Sequence, residues 1–137
     1  MNIKNCKEII LSQIGNSTLG SLSVVEANKE VPFEIKRVYY IYDLKDCDAL
    51  RGKHAHKETE QAIFCLKGSF VLGLDDGENQ DKVIVNKPNE GIYLGTELWH
   101  DMSDFSDDCV MLVLASDYYR EEDYLREYSE FLQYIDR

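Results

Sequence analysis

The chain has no uncharged apolar run of the roughly 20 residues that a helix needs to cross a bilayer; the stretch Cys109 to Ala115 is about as long as such runs become. A membrane-spanning helix is therefore excluded. Its first residues, Met1 to Glu8, soon bring an acid and lack the long apolar region of a signal peptide, so a cytoplasmic protein is expected. Paired cysteines are missing too. Cys6, Cys47, Cys65 and Cys109 are scattered without a CxxC, and two of them lie in apolar runs, which predicts reduced, mostly buried thiols and neither a disulfide frame nor a zinc cluster. Basic charge is short: 15 Lys and Arg stand against 26 Asp and Glu, a formal net charge of -11. Nucleic acid, which needs a basic face to release counterions, is not an expected partner, and a membrane is not one either. There is no internal repeat, low-complexity segment or linker.

What is present fits one domain spanning residues 1–137, with 44% hydrophobic residues, enough to bury a core of its own. The charge is uneven. From Glu97 to Arg137 twelve acids face three bases, whereas Glu34 to Lys57 holds six bases against four acids and is the region suited to an anionic ligand. Short β-branched and aromatic runs separated by turns fill most of the chain: Leu22 to Val25, Arg37 to Tyr42, Gln61 to Leu66, Ser69 to Leu74, Lys82 to Val85, Gly91 to Leu94 and Cys109 to Ala115. Lys67-Gly68 is expected to close a hairpin, and Asp75 to Asn79 to form a turn. The pattern predicts an all-β sandwich or small barrel. Only the C-terminus departs from it: Tyr124, Leu125, Tyr128, Phe131, Leu132 and Ile135 trace one face of an α-helix, with Glu121 to Asp123 near its N-terminal end.

Two of only three histidines are packed into Arg51-Gly52-Lys53-His54-Ala55-His56-Lys57. On an extended strand His54 and His56 share a face, because side chains alternate with period two. Glu60 follows four residues after His56, and His100 lies far downstream after a glycine turn.

This arrangement resembles the two-part signature of the cupins, small jelly-roll barrels (double-stranded β-helices). In metal-binding cupins such a set holds a divalent ion. Here the glycine directly precedes Lys53-His54, and Lys53 and Lys57 flank the pair, which weakens the match to a cation site. A closer resemblance covers residues 20 to 132. The segments Pro32 to Ile41, Arg51 to Lys57, Trp99 to Met102 and Val113 to Tyr119 together resemble the sugar 3,4-ketoisomerases, which act on dTDP-4-keto-6-deoxyglucose. The resemblance implies a cupin-type jelly roll with a C-terminal α-helix. It also implies no metal or other cofactor, a homodimer with exchanged N-terminal strands, and a place in dideoxyaminosugar synthesis for surface glycans such as lipopolysaccharide O-antigen or S-layer glycan.

Moving a ketone from C4 to C3 requires loss of the C3 proton, an enediolate, and a proton returned at C4. Imidazole suits that exchange near neutral pH. By the resemblance His54 and His56 carry the transfers, with His54 as the first choice of base. A tyrosine from the Tyr39 to Tyr42 run is expected to hold the enediolate oxygen, Tyr42 as a catalytic group and Tyr39 as a substrate contact. Arg37 and Arg51 are expected to grip the diphosphate, Lys57 to add a charge, and His100 to line the sugar site. Trp99-His100 resembles the branch giving the galacto product, while Leu19 fits neither the galacto nor the gluco branch. Two other readings compete: a non-catalytic sugar-nucleotide-binding cupin, and a dTDP-sugar 3,5-epimerase. The latter pairs a histidine base with an aspartate and a tyrosine acid, an arrangement not apparent in the sequence.

Overall fold

The computed structural model describes all residues, Met1–Arg137. Strands follow one another as β1 (Cys6–Ile10), β2 (Ile14–Asn16), β3 (Gly20–Leu22), β4 (Arg37–Ile41), β5 (Arg51–His56), β6 (Gln61–Lys67), β7 (Phe70–Asp75), β8 (Gln80–Val85), β9 (Glu90–Leu94), β10 (Trp99–Ser103), β11 (Val110–Ala115) and β12 (Tyr124–Leu125), ahead of helix α1 (Tyr128–Ile135). They form two five-stranded antiparallel sheets, one in the order β1-β9-β6-β11-β4 and the other β12-β5-β10-β7-β8, while β2 and β3 pair only with each other. This is a cupin-like jelly roll with one C-terminal helix.

Alternation along β6 shows why the first sheet is apolar on both sides. Ile63 and Cys65 point between the sheets into a core with Phe70, Leu72, Leu94 and Met111. Ala62 and Phe64 point the other way and are covered by Ile9, Leu11, Val31 and Phe33 from the N-terminal region. A strand buried on both faces reads as a continuous hydrophobic run, as β6 does. All four cysteines are free; Cys65 and Cys109 are buried, and Cys6 and Cys47 partly so. No helix is long and apolar enough to cross a membrane.

Four expectations change. The runs on either side of Lys67-Gly68 are not a hairpin: β6 bonds to β9 and β11 in one sheet, β7 to β8 and β10 in the other. Gly68, at φ +76°, is a corner between the sheets, and a Cβ there would lie 2.1 Å from the Ser106 hydroxyl. The strand expected over Leu22 to Val25 is displaced to Gly20–Leu22. Strands β1 and β10 were not foreseen, their alternation being diluted by Lys7, Glu8 and Asp101. Finally, the C-terminal stripe does not begin a helix at Tyr124. Glu121–Asp123 form a single 3₁₀ turn, Tyr124 and Leu125 add a strand beside β5, and the helix starts at Tyr128. The Asp75 to Asn79 turn does join β7 to β8 as expected, with Asp76 accepting the amides of Glu78 and Asn79.

Candidate active site

Strand β5 carries the site, and its two neighbours complete it. On one side His54 is the direct cross-strand partner of His100 on β10; on the other His56 is the partner of Tyr124 on β12. Directly opposed residues present their side chains on the same face, so the four rings meet. His54 lies with its ring centroid 5.0 Å from His56, 4.8 Å from His100 and 5.0 Å from Tyr124. The pairing of β5 with β10 is irregular between His100 and Asp101.

Each ring has a definite setting. Nδ1 of His56 donates to Oδ2 of Asp123 at 2.8 Å, with both side chains 2% exposed. A carboxylate only accepts, so Nδ1 carries the shared proton, while Nε2 is buried and without a partner. Nδ1 of His100 likewise donates to the Leu98 carbonyl at 3.2 Å. Nδ1 of His54 is buried and unpartnered. Asp123 is itself fixed, because Oδ1 accepts the Glu58 amide at 2.7 Å and its own carbonyl accepts the Lys57 amide at 2.9 Å.

Burial sets the protonation of this group. It pulls His54 down to about 4, helped by the neighbouring His56, and holds the fully buried His100 well below the ordinary imidazole value. At neutral pH both are uncharged. Burial alone would raise the Asp123 carboxyl, but hydrogen bonds from His56, Thr59 and Glu58 outweigh it and keep the acid ionised. Tyr39 is pushed up to about 12, chiefly by burial, and its oxygen accepts from Gln61 Nε2 at 2.8 Å.

In front of His54 opens a cavity of about 310 Å³, walled by Arg37, Tyr39, Arg51, Tyr124 and Arg126. Arg37 lies over the rings of Tyr39 and Tyr119, and its buried Nε has no partner. Arg126 stacks on Tyr124 at 4.2 Å and donates to both oxygens of Glu121, at 2.6 and 2.8 Å. Those bonds, joined by one from the Tyr119 hydroxyl, lower Glu121 to about 2. Neutral imidazoles at a cavity edged by guanidinium groups are equipped to move protons on an anionic ligand.

Of the residues singled out in the sequence, Arg37, Tyr39, Arg51 and His54 line this cavity, and His56 and His100 stand against His54 behind it. Two lie elsewhere. Tyr42 is 57% exposed and packs on Tyr40 at 5.7 Å, because β4 ends at Ile41 and the chain turns away at Asp43, φ 58°. Lys57 sends its ammonium over the Tyr134 ring, 5.6 Å from the centroid. Glu60, the carboxylate of the metal-cupin pattern, is outside the three-histidine cluster and accepts from the Tyr93 hydroxyl at 2.5 Å. Asp123, Tyr124 and Arg126 were not anticipated, and the histidine–aspartate–tyrosine arrangement held to be missing is present. The acidic run before an apolar helical stripe concealed it.

A family model described as FdtA: WxcM-like, C-terminal, matches residues 4–136. A TDP-4-oxo-6-deoxy-alpha-D-glucose-3,4-oxoisomerase of Aneurinibacillus thermoaerophilus is 51% identical over 131 residues, covering 96% of this chain and 89% of that protein. The chain belongs to the FdtA family. Solved structures of 3,4-ketoisomerases are similar as well. The WlaRB TDP-quinovose 3,4-ketoisomerase of Campylobacter jejuni is 49% identical, covers 96% of this chain and 99% of its own, and superposes with a TM-score of 0.90. A histidine-to-asparagine mutant of the QdtA 3,4-ketoisomerase of Thermoanaerobacterium thermosaccharolyticum, in complex with TDP-4-keto-6-deoxyglucose, is 37% identical, with coverage of 96% and 94% and a TM-score of 0.92. This FdtA-family chain is an isomerase of the sugar 3,4-ketoisomerase type.

Proposed function

We propose that the enzyme converts dTDP-4-keto-6-deoxy-D-glucose to the dTDP-3-keto-6-deoxyhexose, with the galacto product favoured, acting in the cytoplasm in dideoxyaminosugar synthesis for surface glycans. The observation that carries the reading is the neutral imidazole of His54 at the wall of a cavity edged by Arg37 and Arg51, with His56 and His100 packed against it. The diphosphate lies against the two guanidinium groups, which are bidentate donors for such an anion. His54 takes the proton from C3, the C3–H pair becomes the C3–C4 double bond, and the C4 carbonyl oxygen takes the hydroxyl proton of Tyr124. The O3–H proton then passes back to the Tyr124 oxygen, the ketone forms at C3, and the double-bond pair takes at C4 the proton held by the His54–His56 pair. No atom is gained or lost overall. Tyr124, against both histidines, is better placed than Tyr42 to hold the enediolate oxygen.

The galacto preference rests on the likeness of the Trp99-His100 pair to the galacto branch, with His100 standing beside His54. The other half of the reading is a homodimer with exchanged N-terminal strands. Hairpin β2–β3 is exposed along its whole length and pairs with neither sheet, leaving Ile14, Leu19 and Leu22 uncovered, as an arm reaching a second copy would be.

Incubation with dTDP-4-keto-6-deoxyglucose in heavy water tests the reaction. NMR should show deuterium entering at C3 or C4 and an axial C4 hydroxyl in the product. Ligand bound with no exchange at either carbon would favour the non-catalytic binding reading. Exchange at C5 would favour an epimerase.

A further inference from the structure

We propose that Gln61 is a positioning residue of the isomerase: its buried side-chain amide donates to the Tyr39 hydroxyl and so commits that hydroxyl's own proton to the C4 oxygen of the bound sugar. Gln61 opens β6, is 1% exposed, and is followed by the apolar residues Ala62 to Leu66. Burying an amide costs free energy unless it is hydrogen-bonded. Its bond goes to Tyr39, from Nε2 to the phenol oxygen at 2.8 Å, two strands away in the order β6-β11-β4. The register explains the reach. Ala115 of β11 is the Cα partner of Gln61 on one side and of Arg37 on the other, and Tyr39 follows Arg37 on the same face of β4. A fully buried alanine presents only a methyl group there, so the longer Gln61 side chain crosses over it to the phenol.

A phenol hydroxyl has one proton to give and lone pairs with which to accept. While Gln61 donates to it, the Tyr39 proton must point elsewhere, and Tyr39 makes no second hydrogen bond within the protein. Its side chain lines the cavity in front of His54, as Tyr124 does, and burial keeps it protonated at neutral pH. The proton is thus offered to a ligand. With Arg37 and Arg51 on the diphosphate, the phenol is left to the sugar. The C4 carbonyl oxygen has two lone pairs; Tyr124 serves one and Tyr39 the other, so both donors face the atom where negative charge grows during enolisation. Gln61 itself does not line the cavity. It acts through Tyr39, by deciding which way that hydroxyl points, and an apolar residue in its place would leave the hydroxyl free to turn. That role rests on the proton-transfer reading above.

The test is a double-mutant cycle on kcat and KM for dTDP-4-keto-6-deoxyglucose with Gln61→Leu, Tyr39→Phe and the double variant, circular dichroism melts reporting that each is folded. Tyr39→Phe should lower kcat by about 10²-fold, as loss of an oxyanion donor does. Gln61→Leu should lower it by about 10-fold, because a donor without a fixed direction is partly lost, and KM should change little in either, the mark of an interaction made in the transition state. The double variant should be no slower than Tyr39→Phe, since both changes remove the same donor. A Gln61→Leu enzyme with kcat equal to or above that of the wild type overturns the role. So does a double variant slower than Tyr39→Phe by the full Gln61→Leu factor, which is what a merely structural residue would give. If Gln61→Leu alone does not fold, the double variant against Tyr39→Phe still decides, because replacing both partners of a buried hydrogen bond by apolar groups is nearly neutral for stability. A wild type that never turns over the keto-sugar overturns the isomerase reading and this role with it, whereas a working wild type with an unimpaired Gln61→Leu variant overturns the role alone.

Discussion

His56 and Asp123 stand 67 residues apart and share a 2.8 Å hydrogen bond in a pocket that water hardly reaches. The bond fixes a proton on Nδ1 of His56 and holds its ring against those of His54 and Tyr124. Asp123→Asn should therefore lower kcat by about 10²-fold, the low end of what a placed acid or base contributes, while KM changes little. Proton NMR of the wild type should show a downfield Nδ1–H resonance that the variant lacks. A variant of normal kcat would mean that the aspartate only supports the loop.

Removing the bases separates chemistry from binding. His54→Asn or His56→Asn should cut turnover by about 10²–10⁴-fold and leave dTDP affinity nearly intact. Arg51→Ala should instead weaken dTDP by about 1.5–3 kcal/mol, the range of a hydrogen bond to a charged group, and less so in high salt. Calorimetry on the three variants checks the division of labour; histidine variants that lose dTDP as severely as Arg51→Ala would overturn it.

Acid should loosen the fold through the same rings. His54 falls from 6.5 to about 4 on folding, and His100 is lowered as well. The unfolded chain therefore binds more protons between those values, and stability present above pH 6.5 is lost as pH falls toward 4. For His54 alone this is up to about 3 kcal/mol. Thermal melts from pH 7.5 to 5 should show Tm dropping, and His54→Asn should flatten that dependence.

Light scattering checks the assembly. A particle of twice the 15.9 kDa chain mass is expected at micromolar concentration, because an uncovered hairpin and the free edge of β4 are surfaces that single chains rarely leave open. A monomer would contradict the strand exchange.

The fold was largely legible in the sequence because most strands alternate or run apolar between turns, and His54 and His56 shared a face by period alone. What escaped was long-range pairing. Nothing local tells that Lys67-Gly68 changes sheets, since a corner and a hairpin call for the same glycine. Asp123 and Tyr124 were hidden for a related reason: acids before an apolar stripe fit a helix N-terminus equally well, and only the pairing of Tyr124 with His56 decides for a strand. Tyr42 was misplaced because its setting depends on where β4 ends, which side-chain chemistry does not announce.

Behind the site, Ala55, Trp99, Leu125 and Phe131 make a small core of their own, apart from the one between the sheets. The strand bearing Tyr124 is two residues long and depends on that packing. The C-terminal segment is thus able to open as a unit while the barrel persists, in the manner of local unfolding. Phe131→Ala, a truncation of a type that costs about 3–5 kcal/mol in a core, should let the amides of Tyr124 and Leu125 exchange with solvent well before those of β6 or β11. Activity of that variant would then vanish at a temperature where the barrel is still intact, which would place the thermal limit of the site in this small core and not in the barrel.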